Sequence, residues 1–530
     1  MEPFEVVPYE IEQLTNVLIK KTKADENTVN KKLHTVYFKD YFKALNAKTL
    51  LIEHSYIDHD FLEDYSGYYV RCFTRYPRKC TRLHFFDIHF QENDFISLLQ
   101  GNNSILAEEK LRKAYLGFIV IKPLPRTIFG RTCLKTYDSD HDRRNFPNIR
   151  SYEVNLFGIE LCVNSLAFQE QDDVVSACAT SALWTIFHGS GVFFQHKIPS
   201  PVEITKIACE KDPLGTRYFP NSGLTDSQMA NAIRSVGLEP YIVNASEERI
   251  LKSTLYAYLK IVPLAMAIDL VDISNVSNPH DRGDCMGRHA VAVTGFSLGL
   301  DKPVPFKETG FCLRASRIDK IYVHDDQVGP FARMVSDNLT VSYDKNGEKN
   351  DSLSFSTSWR GKDGRIGSVR GVPIFILLPL YHKIRITFIQ VLDIIIHFDG
   401  FLEALKKANF FKLIDERIEW DIYLTTNNKL KTEIFNGILP LSSELRREVL
   451  LDNKPRFLWR ATAFCKEKHK LDILFDATDI EQGLFINGVI GYDKQLFDFL
   501  HKSSKEPSLE KILQDRLEWV ILSWFSKLTH

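Results

Sequence analysis

Residues 171–189 read QDDVVSACATSALWTIFHG. A polar tract runs into an apolar helical pattern, and a cysteine sits at the join. Ser176 is placed to cap a helix and Gly189 to follow its last turn. Between them Ala179, Ala182, Leu183, Ile186 and Phe187 recur at helical spacing and make one buried face. Cys178 then falls in the first turn. Unpaired backbone N–H groups and the positive end of the helix dipole favour an anion there, and a thiolate is such an anion. The competing reading is a small packed hydrophobe, which free cysteine commonly is.

Outward from this stretch, residues 151–158 and 159–168 pattern as a hairpin. Residues 200–211, 224–238 and 247–260 pattern as helices. Short strand patterns follow at 241–245, 262–270, 288–296, 320–326 and 371–380. Helices first and sheet afterwards predict an α+β domain over 151–380. The polar tract 137–148 marks a boundary with a mixed α/β domain over 1–150, where helices at 12–33, 37–45, 93–100 and 104–116 mix with strands at 82–90 and 117–125. A second mixed α/β domain spans 381–530, with helices at 386–398, 401–411, 494–502 and 509–528 and strands at 455–464 and 471–479. Residues 297–319 form a connection, and the polar tract 342–369 a loop or exposed hairpin.

A thiolate nucleophile needs a base, and the base needs an orienting partner. In GRHAVAVTGF, His289 opens a strand whose Val291 and Val293 share its face, so its imidazole can meet a cleft at the sheet rim. In KIYVHDDQVGP, Asp325 and Asp326 close a strand before a Gly-Pro turn. One of these carboxylates can accept Nδ1–H of His289 and fix the tautomer. Neighbours on alternating faces cannot both point at one ring, so Asp325 is preferred and Asp326 is its substitute.

Cysteine on a helix, then histidine and aspartate on strands, resembles the papain-fold cysteine peptidases, closest to the branch that processes bacteriocin leader peptides. The resemblance rests on ACATSALW around Cys178, RHAVAVTGF around His289, IYVHDD ahead of QVGP, and SGLTDSQMANAIRSVGLEP (222–240). It covers about 151–380. It implies a papain-like domain, flanked by the two others, that hydrolyses a peptide or amide bond through a thioester. A Cys178–His289–Asp325 triad would carry the reaction, without metal or cofactor. An acyltransferase or transglutaminase with the same triad, or a papain-fold binding protein without turnover, are the alternatives. The family places an oxyanion-hole glutamine six residues before the cysteine. Here that residue is Asp172, an acceptor when ionised. Gln171 is the substitute expected to donate, and Gln169 lies two residues further back.

The remaining sequence constrains the setting. The chain has 530 residues, 44% apolar and 25% charged, with a net charge of −1. That balance gives no global argument for nucleic acid as a partner. Nine scattered cysteines without a CxxC pair speak against a disulfide framework or a structural zinc site. The acidic start MEPFEVVPYEIEQL lacks the apolar core of a secretion signal, and the most apolar run, 371–380, is too short to span a bilayer. The expectation is a cytoplasmic protein without a membrane partner. Its substrate would be a protein or peptide, and the flanking domains would hold a regulatory partner. His54 and Asp58, spaced as a metal pair on a helix, read better as a solvated polar face. Asp87, His89 and His84 read as polar groups at a core rim. Cys285, four residues before His289, is a rival thiol in a Gly-rich loop.

Overall fold

The computed structural model describes residues 2–527 apart from 103–105, 173, 211–217, 221–222, 277–280, 346–347, 408–416, 440, 481–484 and 514–515. The start of the expected helix at 104–116 and the end of the one at 401–411 lie outside the described residues. The fold is mixed α+β, 36% helical and 33% strand, so neither class dominates. Among the described residues no helix is long and apolar enough to cross a membrane. The chain forms two compact units. The first comprises residues 1–247, 262–297 and 319–379. The second comprises 248–261, 298–318 and 380–530.

The first unit opens with a five-stranded antiparallel sheet, β1 (Phe4–Pro8), β2 (Thr49–Tyr56), β3 (Cys80–Phe86), β4 (Tyr115–Ile121) and β5 (Phe129–Leu134), paired in chain order. Helix α1 (Leu33–Ala44) lays Phe38, Tyr41 and Phe42 on the sheet residues Leu50, Ile52, Leu83, Phe85 and Ile119. The same core takes in Leu166 and Phe331 from later in the chain. The hairpin β6 (Arg150–Leu156) and β7 (Ile159–Ser165) buries every second residue, as its alternating sequence requires. Phe157 and Gly158 turn it with positive φ.

Helix α2 (Cys178–Phe194) is buried almost all round. Thr180, Ser181, Trp184, Thr185 and His188 are covered along with the expected apolar face. It runs past Gly189 and ends at Gln195, which takes the left-handed conformation. Gly189 is therefore a packing residue: a Cβ there would fall 2.5 Å from the Pro263 ring. Helices α3 (Pro201–Glu210) and α4 (Asp226–Ser235) follow. The expected helix at 104–116 is also shorter, Glu108–Lys113, because β4 claims the chain from Tyr115.

The second sheet of this unit closes on itself. β9 (Leu264–Asp272), β10 (Asp284–Leu298), β11 (Ile318–Asp325), β12 (Gly329–Val335), β13 (Phe355–Ser356) and β14 (Val369–Tyr381) pair in sequence, and β14 pairs back onto β9. β8 (Leu238–Asn244) adds to β14. The expected polar loop at 342–369 contains β13 and an antiparallel hairpin, Thr340–Lys345 with Glu348–Leu353.

The second unit has its own sheet, in which β15 (Glu419–Thr426), β16 (Phe457–Cys465), β17 (Lys468–Asp476) and β18 (Ile486–Gly491) pair antiparallel and the short strand Cys312–Leu313 adds parallel to β15. The helix Phe388–Lys407 is continuous where the sequence suggested two.

Candidate active site

Helix α2 begins at Cys178 itself. Ala177 holds the cap position with extended backbone and offers no side-chain acceptor. Ser176, the expected cap, instead pairs with Asp172, whose N–H donates to the Ser176 carbonyl at 2.8 Å. The short loop between them is tied by Asp172 Oδ1, which accepts from the backbone N–H of Val174 and Val175. Among the described residues no side chain caps the first turn of α2, whose amides are those a helix start leaves unpaired. From Val175 to His188, Cys178 is the one residue that is not buried.

His289 is the sixth residue of the 15-residue strand β10, not its first. Residues 284–288 of that strand are exposed, and His289 is where it enters the covered part of the sheet. The ring is buried, at 3% exposure. Its Nε2 lies 3.1 Å from Asp325 Oδ1. The expectation had the acid on Nδ1; the structure places it on Nε2 and leaves Nδ1 as the nitrogen free to meet sulfur. The Cys178 side chain is among the groups that help hold this ring's proton. Burial alone would push the imidazole pKa down, but the charges of Asp325 and Asp326 and the bonds to Asp325 and Cys178 outweigh it. The ring is held well above its ordinary 6.5.

Asp325 is fully engaged. Oδ1 also accepts from the Gln327 N–H at 3.1 Å, and Oδ2 accepts from Trp359 Nε1 at 2.7 Å. Burial raises its pKa, yet the imidazolium and these donors win and hold the carboxyl below its usual range. Trp359 also sets the edge-to-face wall of the imidazole, with ring centroids 5.4 Å apart. Nothing in SFSTSWRGKDG announced that role; a lone tryptophan in a polar tract was the only available signal.

Asp326 also reaches the ring, with Oδ1 3.5 Å from His289 Nε2. Strict alternation had ruled this out. The register of β11 against β12 slips between Val323 and Asp325, and Asp326 already lies in the turn. Its carboxylate has no hydrogen-bond partner from another described residue. Burial and Asp325 push its pKa up against the pull of His289, to about 7. His289, Asp325 and Asp326 are the described residues whose ligand-type atoms cluster tightly enough for a metal ion. Asp325, however, already spends both oxygens on protein donors, which is the arrangement of an orienting group.

Gln171 is not joined to Cys178 by a hydrogen bond among the described residues. It lies on the wall of a polar cavity with Glu170, Asp326 and Gln327. Gln169 is buried, and its amide Nε2 donates to no described acceptor. The other flagged groups have structural roles. His54 lies on β2, and Asp58 caps the helix His59–Gly67 by accepting from the Phe61 N–H. Asp58 and Asp60 are buried rather than solvated, and Asp60 is paired to Arg131 at 2.6 Å. His84 is buried between Tyr115 and Glu53. Cys285 lies on β10 rather than in a loop and is exposed.

Comparison with family models, with characterised proteins and with solved structures finds no match for this chain.

Proposed function

We propose that this chain is a cysteine peptidase or related amide hydrolase with a papain-like central domain. One observation carries the reading: a half-buried Cys178 at the first position of an otherwise buried helix helps hold the proton of an imidazole whose Nε2 rests on a saturated carboxylate. In this reading His289 holds the sulfur's proton and the pair rests as thiolate and imidazolium. The sulfur attacks a carbonyl carbon, and the Cys178 N–H at the open end of α2 binds the developing oxyanion. Gln171, the expected second donor, has a rival in the unpaired amide of Gln169. His289 then gives its proton to the leaving amine, and water, relieved of a proton by the same ring, releases the acid and regenerates the thiol. Asp325 keeps the ring oriented, and Trp359 keeps Asp325 in place.

The test is chemical and then biological. An alkylating probe should label Cys178 at neutral pH faster than the more exposed Cys285. Proteome cleavage profiles of wild type and Cys178→Ala should differ. Equal labelling of the two thiols together with identical profiles would sink the hydrolase reading.

A further inference from the structure

We propose that Asp326 is a positioning residue for the Cys178–His289 pair: a second carboxylate against the imidazole, covered by the fold beside a polar cavity, whose proton follows the charge of the ring. The proposal rests on the cysteine-hydrolase reading above.

The geometry separates the two acids. Both approach the same Nε2, at 3.1 Å for Asp325 and 3.5 Å for Asp326. One N–H serves one acceptor well, and Asp325 has it. Asp326 is 3% exposed and its two oxygens take no hydrogen bond from another described residue. A buried carboxylate without donors is costly unless a cation faces it. The groups that face Asp326 are few. His289 comes from β10 and Asp325 from β11. Glu170, ahead of α2, is bound by Lys32 and by the N–H groups of Ile128 and Phe129. From α1, His34 donates Nε2–H to the Asp326 carbonyl at 3.0 Å, and burial holds that ring's pKa down at about 4, so it is neutral. Among the described residues named here, the charge beside Asp326 that changes during turnover is therefore that of His289.

While the ring is an imidazolium, it offsets the Asp326 anion. Once the ring has given its proton to the leaving amine, two buried carboxylates face each other with no cation between them. A solvated proton then forms an O–H bond on Asp326, leaving its carrier water neutral, and the balance is restored until the ring takes a proton from the attacking water and Asp326 returns its own to solvent. A cavity of about 370 Å³ is lined by Lys32, His34, Arg126, Gln171, Asp326 and Gln327. Asp326 is part of its wall, and the exposed Arg126 marks its solvent side.

The experiment follows the rate of Cys178 alkylation by iodoacetamide in the full chain from pH 5 to 9, read by peptide mass spectrometry. Wild type should show an inflection near pH 7. In Asp326→Asn that inflection should vanish, and the rate at pH 8 should fall about tenfold, the equivalent of one pKa unit on the ring. An unchanged profile in the variant overturns the proposal. If the variant does not fold, side-chain NMR of wild type labelled at histidine decides. The His289 resonances should shift near pH 7 while the ring stays protonated; no shift between pH 6 and 8 overturns the proposal. Failure of the hydrolase reading looks different: Cys178 labels no faster than Cys285 at any pH, and the NMR titration still reports on Asp326.

Discussion

Two buried ionic clusters in this chain follow opposite plans. In the second unit, Arg460 on β16 donates to Asp472 on β17 at 2.8 Å, to Glu433 at 2.6 Å and to the Tyr423 hydroxyl at 3.0 Å. Asp472 also accepts from Tyr492 and Thr462. Every polar atom of Arg460 and Asp472 is engaged, and neither residue is exposed by more than 2%. In the first unit, the cluster at His289 holds one saturated acid, one acid that takes no hydrogen bond from another described residue and a half-buried cysteine. A fully satisfied network fixes a structure. A network with an unspent acid and a reachable sulfur leaves groups available for chemistry. Burial alone does not distinguish the two; the hydrogen-bond pattern does.

The largest effect should come from breaking the satisfied cluster. Arg460→Met leaves Asp472 buried without its cation, a change that typically costs about 3–5 kcal/mol. Chemical denaturation should show that loss, while the alkylation rate of Cys178 in the folded fraction stays as in wild type. A variant as stable as wild type would erase the contrast. A slowed Cys178 would show that the two clusters are not independent.

Next in size is Asp325→Asn. The asparagine must turn an N–H₂ group toward either the Trp359 N–H or the ring, so one donor meets another. The imidazolium also loses its nearest anion. Alkylation of Cys178 at pH 7 should slow by about ten- to a hundredfold, one to two pKa units on the ring. A rate within twofold of wild type would mean that Asp326 can take over as orienting acid, and the distinction between the two carboxylates would be lost.

How far the sequence foretold this site follows from the kind of signal each residue carries. Cys178 and His289 were legible because each marks a change of texture, polar to helical and exposed to buried. The α+β class was legible from the order of helices and strands. The tie between Asp325 and His289 followed from the strand end. What sequence could not supply was long-range or irregular. The shared approach of Asp325 and Asp326 depends on a one-residue slip between β11 and β12, and periodicity assumes no slip. Gly189 looked like a helix stop because its contact with Pro263 is distant in sequence. Trp359 and His34 reach the acids from segments with no local chemical pattern. The solvated reading of Asp58 failed for the same reason, since the Arg131 that faces it and its neighbour Asp60 lies far along the chain.

The last comparison, read as a change with pH rather than as a fixed loss, tests whether Asp326 is as unsatisfied as its geometry shows. Its carboxyl titrates near 3.8 in the unfolded chain and at about 7 in the folded one. Between those values the folded protein binds a proton that the unfolded chain has released, so stability falls as pH rises through that window. An asparagine side chain at this position carries no such proton and incurs no such loss. The melting temperature of Asp326→Asn should therefore gain on wild type between pH 4 and pH 8, at about 2 °C for each kcal/mol. The difference should open above pH 4 and be complete just above pH 7. A constant offset across the range would mean that the acid is solvated in the native state. Asp326 would then belong with the satisfied cluster, and its place beside His289 would carry no proton.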